Sequence, residues 1–323
     1  MIFVTGGAGY IGSHCVRKLV EATNDIIIYD NLSRGHRDMV ACGRFIEGDL
    51  SETGRVASIL KDNAVDTVIH FAASSLVGES EEIPHHYYKN NIGGGISLLD
   101  AMLQAGVRRI VFSSSAAVYG EPNSVLIEED HPTAPTNVYG RTKLIFEGIL
   151  EKYASVYGLS SVSLRYFNAA GADPDGEIGE DHTPETHLIP LILDTALGRR
   201  PEITVFGTDY DTPDGTCIRD YIHVADLAAA HILAIERLQA AEGAYAYNLG
   251  SEQGFSVKEV IAVSRQVTGK EIPVRFGARR AGDPARLVAG SAKIKRELGW
   301  KPAFSSLEQI IDTAWRWHKK RFS

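Results

Sequence analysis

Cysteine is scarce in this chain. Cys15, Cys42 and Cys217 are odd in number and far apart, with no CxxC pair and no metal-ligand spacing. That excludes a disulfide scaffold and a zinc finger, and it fits a reducing compartment. No apolar run approaches the ~20 residues of a membrane span. Basic charge is not in excess either: 33 Lys+Arg against 41 Asp+Glu leave a net −8. This argues against a nucleic-acid surface, while leaving room for a local pocket around one small phosphate ligand. The eleven histidines include His85, His86 and His182, yet show no HExxH and no two-His-one-carboxylate spacing, so no metal is expected. The opening residues Met1–Gly6 lack a basic stretch and reach glycine too soon for a secretory signal. The expectation is a soluble, cytoplasmic chain with no nucleic-acid or membrane partner.

What is present is a globular composition, 44% apolar and 23% charged. At ~150 residues per domain the length predicts two domains, with enough core to need no staple. Ile2–Thr5, Ile26–Tyr29, Thr67–Phe71 and Ile110–Ser113 are β-branched runs bounded by Gly, Asp or Ser and read as buried strands. Between them Tyr10–Ala22, Glu52–Leu60 and Gly93–Ala105 carry helical spacing. Strands alternating with helices predict βαβ units and a parallel sheet, hence a doubly wound α/β fold of Rossmann type. A helix at Val138–Tyr157 leads into a strand at Ser161–Tyr166. After Phe167 the alternation breaks into long loops at Asn168–Glu185 and Gly207–Gly215, lengths that favour binding loops. A helix at Val224–Leu238, a strand at Ala244–Leu249 and an amphipathic tail at Ser305–Lys320 follow. With no clean linker, a smaller α/β domain interwoven with the first is expected.

The first strand runs straight into Thr5-Gly6-Gly7-Ala8-Gly9-Tyr10-Ile11-Gly12 and then a helix. Gly6 suits a tight turn, Gly9 a close backbone approach to a pyrophosphate, and Gly12 close helix–strand packing. The helix N-terminus offers free N–H groups to that anion. Asp30 ends the second strand, where a carboxylate binds both ribose hydroxyls and repels a 2′-phosphate. Arg34 would suit such a phosphate; the carboxylate decides the reading for NAD.

Ser113-Ser114-Ser115 closes another strand, and Tyr139-Gly140-Arg141-Thr142-Lys143 opens a helix. Four residues apart, Tyr139 and Lys143 share a face. Of thirteen tyrosines only Tyr139 has lysine at +4. A phenol near pKa 10 is a poor base until neighbouring positive charge favours its phenolate. Lys143 supplies that charge, and Ser115 can hydrogen-bond the reacting oxygen and relay its proton.

The run Thr5–His14 with Tyr139-x-x-x-Lys143 resembles the extended short-chain dehydrogenase/reductase family. Five further strings make the chain similar to the UDP-glucose 4-epimerases of that family. They are His70-Phe71-Ala72, Val77-Gly78-Glu79-Ser80, Arg165-Tyr166-Phe167-Asn168, Arg219-Asp220-Tyr221-Ile222-His223-Val224 and Arg279-Arg280-Ala281-Gly282-Asp283. The similarity runs from Ile2 to the tail beyond Gly299-Trp300. It implies tightly bound NAD, transient hydride transfer through a 4-keto sugar, and C4 epimerisation of UDP-glucose and UDP-galactose. Tyr139, Ser115 and Lys143 become the catalytic residues.

Cofactor contacts are implied at Gly6, Gly9, Tyr10, Ile11, Gly12, Asp30, Asn31, Leu32, Ser33, Arg34, Gly35, Asp49, Leu50, Phe71, Ala72, Ala73, Ser75, Asn90, Ser113, Tyr139, Lys143 and Phe167. Substrate contacts are implied at Ser115, Tyr139, Asn168, His187, Leu188, Thr204, Val205, Phe206, Arg219, Arg280, Asp283 and Leu287. Arginine matches diphosphate oxygens bidentately, which suits Arg219 and Arg280.

The resemblance further implies an NAD domain at 1–166, with 217–250 returning to it. The nucleotide-sugar domain would be 167–216 and 251–323. A homodimer built from the 93–105 and 138–157 helices is implied as well. Three positions depart from the family pattern. Ser74-Ser75 stand where Leu-Lys is common, which implies looser NAD. His187 replaces an asparagine of the uridine loop, and Leu287 replaces a tyrosine beside the hexose, which implies room for an N-acetyl group.

A 4,6-dehydratase would need an Asp-Glu pair after Ser115, and a UDP-glucuronate decarboxylase a glutamate there; this chain has Ala116-Ala117. A 4-epimerase of UDP-xylose or UDP-glucuronate, and a non-catalytic NAD sensor, are the alternatives.

Overall fold

The computed structural model describes residues 1–22, 25–280 and 283–323. Its strands are β1 (Ile2–Thr5), β2 (Ile26–Asp30), β3 (Arg44–Glu47), β4 (Thr67–His70), β5 (Arg109–Ser115), β6 (Ser160–Tyr166), β7 (Asn168–Ala170), β8 (Ile203–Phe206), β9 (Ile218–His223), β10 (Ala244–Leu249), β11 (Gly254–Ser256), β12 (Val274–Gly277) and β13 (Arg286–Leu287). Its α-helices are α1 (Tyr10–Val20), α2 (Thr53–Asp62), α3 (Val77–Glu82), α4 (Pro84–Tyr87), α5 (Gly95–Ala105), α6 (Val138–Tyr157), α7 (Leu188–Ala196), α8 (Val224–Ala240), α9 (Val257–Thr268), α10 (Ala292–Leu298) and α11 (Leu307–Phe322).

The β-branched runs that read as strands pair in parallel, in the order β10-β6-β5-β4-β1-β2-β3. Strands β2 and β4 are buried along their whole length, as a sheet covered on both faces requires. On one face α1 and α8 pack on Val4, Ile28, Ile69, Val111 and Leu164; on the other, α2, α5 and α6 cover Phe3, Ile27, Val68 and Ile110. Sheet order reverses between β1 and β4. Beyond the carboxyl ends of these strands lies the crevice where open α/β sheets take their ligands.

The second assembly is smaller. Strand β9 pairs with β11, β13 and β7, and β8 with β12. Helices α7, α9 and α11 bury Ile192, Val260 and Ile311 against them. The returning segment therefore divides: α8 and β10 join the central sheet, whereas Ile218–His223 lies in the smaller one.

One expected helix differs in form. Tyr88–Gly94 is a turn of π-helix, and α5 begins only at Gly95, where a Cβ would meet the Phe146 ring at 2.3 Å. Within this bulge Asn91 is buried, accepting from Ser74 N at 2.8 Å and donating to Ser74 O and Thr142 Oγ1 at 3.0 Å each. Short π segments of this kind interrupt α-helices frequently at functional sites.

Helix α6 is fastened to the sheet by a buried ion pair. The Arg165 Nε donates to both Glu147 oxygens at 3.0 and 3.2 Å and its Nη2 to Oε2 at 2.5 Å, with both side chains more than nine-tenths buried. Ser114 Oγ donates to the same carboxylate, and Arg165 Nη1 to the Tyr119 hydroxyl at 2.9 Å. Breaking such a pair from one side strands a buried charge, at about 3–5 kcal/mol. Glu147→Leu is therefore expected to lose about that much in denaturant unfolding. The double variant Glu147→Leu/Arg165→Met should lose markedly less; equal losses would contradict the pairing.

Candidate active site

The glycine loop occupies the reversal point of the sheet. Gly6 has φ +71°, and a Cβ there would sit 2.5 Å from Ala72 N, so β1 and the turn after β4 meet through a bare backbone. A Cβ on Gly12 would strike Gly6 O at 2.3 Å. Gly9 differs. A Cβ there meets only Gly6 O, at 3.3 Å, so the protein's own packing barely demands glycine. Gly9 stands at the N-terminus of α1 with no side-chain cap, and the first turn holds no acidic residue. The N–H groups of Tyr10, Ile11 and Gly12 head the helix, where an anion is favoured.

Asp30 ends β2 and is 8% exposed. Its two oxygens accept from Ala8 N and Leu32 N, each at 2.9 Å, which ties the glycine loop to the next turn. Burial raises its pKa, and these two bonds oppose the rise. Each oxygen keeps a second lone pair for a hydroxyl. Asn31, Ser33 and Arg34 follow on the surface, Leu32 takes φ +57°, and Gly35 packs on Ala8. Arg34 is engaged: it donates to Glu79 Oε1 at 2.6 Å and to Thr183 O at 2.8 Å. Asn31 reaches Asp49 Oδ2 at 2.8 Å, and Leu50 is buried below. Phe71, Ala72 and Ala73 line the turn after β4, where Ser75 is exposed; Asn90 reaches Ser74 Oγ at 3.3 Å.

The hydroxyl strand end and the helix meet as their order along the chain predicts. Ser115 ends β5, and its Oγ accepts from Ala117 N at 3.1 Å. The start of α6 packs so tightly on this turn that a Cβ on Gly140 would meet Ala117 O at 2.4 Å. Asn137 caps α6 by accepting from Gly140 N at 2.8 Å, and Ser80 Oγ accepts from Tyr139 N at 3.1 Å. Burial raises the Tyr139 pKa, and a hydrogen bond with Ser115 opposes that rise. Lys143 is 3% exposed; its Nζ donates to Ser113 O at 2.7 Å and lies 5.7 Å from the Tyr139 ring centre. Burial lowers the Lys143 pKa to about 7, and the Glu147 carboxylate one turn on opposes that fall. Ser113 Oγ bonds the Tyr166 hydroxyl.

On the other assembly Asn168 donates to Asp220 O at 2.9 Å. Arg219 pairs with Asp283 and donates to Pro284 O at 2.8 Å. Arg280 lies 4.1 Å over the ring of Phe206, the half-open end of β8, which also carries Thr204 and buried Val205. Ala281 and Gly282 of the same string lie outside the described residues. Leu287 pairs in register with Arg219 and packs on the cluster that holds Ala116, next in sequence to Ser115, and Phe167. His187 precedes Leu188 at the head of α7, but its imidazole turns to Glu180 and Glu185, 2.7 and 3.2 Å away. Together with His182 these residues form a cluster that sequence spacing did not suggest, since E-x-H-x-x-E-x-H matches no familiar ligand pattern. Asn91 and Glu147 were also missed. Glu147 lies four residues beyond Lys143, and that spacing was a usable signal.

Residues 2–250 match the sequence model of the NAD dependent epimerase/dehydratase family, and the chain belongs to that family. Among its relatives, the UDP-glucose 4-epimerase of Halalkalibacterium halodurans is 54% identical over 319 residues, covering 99% of this chain and 96% of that protein. The crystal structure of UDP-glucose 4-epimerase from Brucella ovis in complex with NAD superposes with a TM-score of 0.95 at 50% identity, covering 97% of each chain. That of the Bifidobacterium longum enzyme in complex with NAD+ and UDP gives 0.94 at 38%, covering 99% of this chain and 98% of that one.

The two loop glycines should behave oppositely. Gly6→Ala combines left-handed strain of about 1–2 kcal/mol with a backbone clash and should lower the melting temperature by several degrees. Gly9→Ala should leave it within about a degree, since surface-type changes stay near ±0.5 kcal/mol. Scanning calorimetry of both variants checks this.

Proposed function

We propose that this chain interconverts UDP-glucose and UDP-galactose by epimerisation at C4, using tightly held NAD. The observation that carries the reading is the convergence of Ser115, Tyr139 and Lys143 at the carboxyl edge of the parallel sheet, beside the glycine loop. Full-length similarity to UDP-glucose 4-epimerases at about half identity supports it.

The residues present fit the dinucleotide. Gly9 leaves the backbone open where the head of α1 favours a pyrophosphate, and Asp30 offers paired acceptors for a ribose diol. Arg34, bound to Glu79, is not free for a 2′-phosphate. NAD held by these residues would supply the hydride acceptor and donor that C4 needs. Tyr139 takes the proton of the 4-hydroxyl and later gives it back, and Ser115 bonds the reacting oxygen and eases that transfer. Lys143, oriented by Ser113 O, favours the phenolate. Glu147 in turn favours the charged form of Lys143.

Arg219 and Arg280 hold the diphosphate and Phe206 lies beside the base, so the nucleotide is fixed while the 4-keto hexose turns about its linkage. A grip on the nucleotide that spares the hexose serves both faces of the sugar. A dehydratase would need acids after Ser115. Ala116 there is buried in an apolar cluster.

Function divides mainly along the two assemblies, with the cofactor residues and the acid–base pair Ser115 and Tyr139 on the large one and most nucleotide-sugar residues on the small sheets, α7 and the segment before β13. The chain pairs with a second copy through α5 and α6, whose outer faces leave Ile96, Ile145, Val156 and Tyr157 between 37 and 54% exposed. Among the described residues no helix is long and apolar enough to cross a membrane.

The decisive experiment incubates the protein with UDP-galactose, without added NAD, and assays UDP-glucose. Turnover is expected. Tyr139→Phe should cut kcat by roughly 10²–10⁴, the usual contribution of a positioned acid–base group, with retained UDP binding. Near-normal activity in that variant would show that another group is the base.

Leu287 sets the second expectation. A tyrosine at this position would fill space beside the sugar, and overpacking of about 1–3 kcal/mol rejects a bulky substituent by one to two orders of magnitude. The native chain should therefore turn over UDP-N-acetylglucosamine as well. Leu287→Tyr should lower kcat/KM for that sugar by about 10–100-fold while sparing UDP-glucose. Equal turnover in both proteins would exclude Leu287 as the determinant.

A further inference from the structure

We propose that Glu180, His182, Glu185 and His187 form a structural binding site for one divalent transition-metal ion of the zinc type, set in the loop that leads into α7. Each residue offers one ligand atom, and the four atoms lie within 4.8 Å of one another. Oxygen and nitrogen alternate around the cluster. Glu180 Oε1 is 3.3 Å from His182 Nδ1 and 2.7 Å from His187 Nδ1; the Glu185 oxygens are 3.4 and 3.2 Å from the same two nitrogens. Two ligand atoms held roughly 2.0–2.1 Å from a tetrahedral zinc stand about 3.3 Å apart. The Glu180–His182 separation has that value, Glu185 approaches it through a different oxygen to each imidazole, and the Glu180–His187 pair is shorter.

A second observation points to an ion rather than to hydrogen bonding. The Glu180 side chain is 7% exposed, yet neither its Oε1 nor His182 Nδ1 has a hydrogen-bond partner. Glu180 Oε1 and His182 Nδ1 are thus held by close imidazole–carboxylate approaches alone, with no directed hydrogen bond to either atom. Leaving such groups unmet is costly. A divalent ion meets both, and two carboxylates with two neutral imidazoles bring its charge to zero in a partly buried place. Four protein ligands and no open position describe a structural site, not a catalytic one.

The loop carrying the ligands is already fixed from outside. Trp317 Nε1 donates to Glu180 O at 3.1 Å, Arg321 Nε to Asp181 Oδ2 at 2.8 Å, and Arg34 Nη1 to Thr183 O at 2.8 Å. The His182 ring stands edge-on to Tyr10, at the head of α1. The ion would thus tie the cofactor loop to the start of α7.

The test uses untagged full-length protein stripped with a chelator and titrated with zinc chloride, then with cobalt chloride. One zinc per chain is expected by elemental analysis and calorimetry, with a melting temperature that rises with zinc concentration. Cobalt should give the visible absorption of a tetrahedral N/O site. Glu180→Gln and His182→Gln should each weaken zinc by more than the roughly 10–100-fold that loss of an outer partner costs. Circular dichroism confirms that each variant is folded; if one is not, the native stoichiometry and cobalt spectrum still decide. No zinc above background and no cobalt spectrum, or equal zinc binding by both variants, would overturn the site. The four residues would then be two imidazolium–carboxylate pairs. None of these readouts depends on epimerase activity.

Discussion

One face of α6 carries the proposed chemistry. Tyr139, Lys143 and Glu147 follow one another at intervals of four residues, so a single helical stripe presents a phenol, an ammonium and a carboxylate to the edge of the sheet. Each acts on the one before it. Glu147 is held by Arg165 from β6 and supports the charge on Lys143; Lys143 lies beside Tyr139 and takes its bearing from the carbonyl of Ser113. The stripe works only if α6 does not slide or roll. Its register is set at one end by Asn137 and Gly140 and along its length by the buried ion pair.

The same economy recurs where the two assemblies join. Asp220 is fully buried, and it accepts from Ser251 N at 2.8 Å, Ser251 Oγ at 2.6 Å, and Glu252 N and Ala289 N at 3.1 Å each. One carboxylate thus gathers the turn after β10 and the segment after β13 onto β9, the strand that begins with Ile218 and Arg219. Burial pushes its pKa up to about 6, against these donors. Asp226 does similar work for the approach to α11, accepting from Ala303 N and Phe304 N at 2.7 and 3.0 Å. Loops that lack regular pairing of their own are positioned by buried acids, one on β9 and one in the first turn of α8.

How much of this was legible depended on the range of the interaction. β1, β10 and α6 fall where the sequence places them, because β-branched runs, bounding glycines and four-residue spacing are local signals. The glycine loop was legible for the same reason. Helix α9 was not read, although Ser256 and Glu259 form a capping box that the sequence shows plainly. The loop 168–185 hides the short strand β7, whose partner β9 lies some fifty residues away. Likewise the Glu147–Arg165 pair and the Asn91 bridge to Ser74 and Thr142 depend on how separate elements fold together. No spacing rule encodes them.

The contact between Arg219 and Asp283 has a consequence for how an anion is received. The guanidinium that faces the proposed diphosphate position is already shared with a carboxylate and with the carbonyl of Pro284. A phosphate arriving at Arg219 would therefore bind by exchange, displacing an internal competitor instead of meeting a bare charge. What it gains from Arg219 is offset by what Asp283 gives up, and the same carboxylate stands ready to reclaim the arginine when the ligand leaves. Under the proposed function, such an exchange would trade affinity for faster release of a doubly charged product.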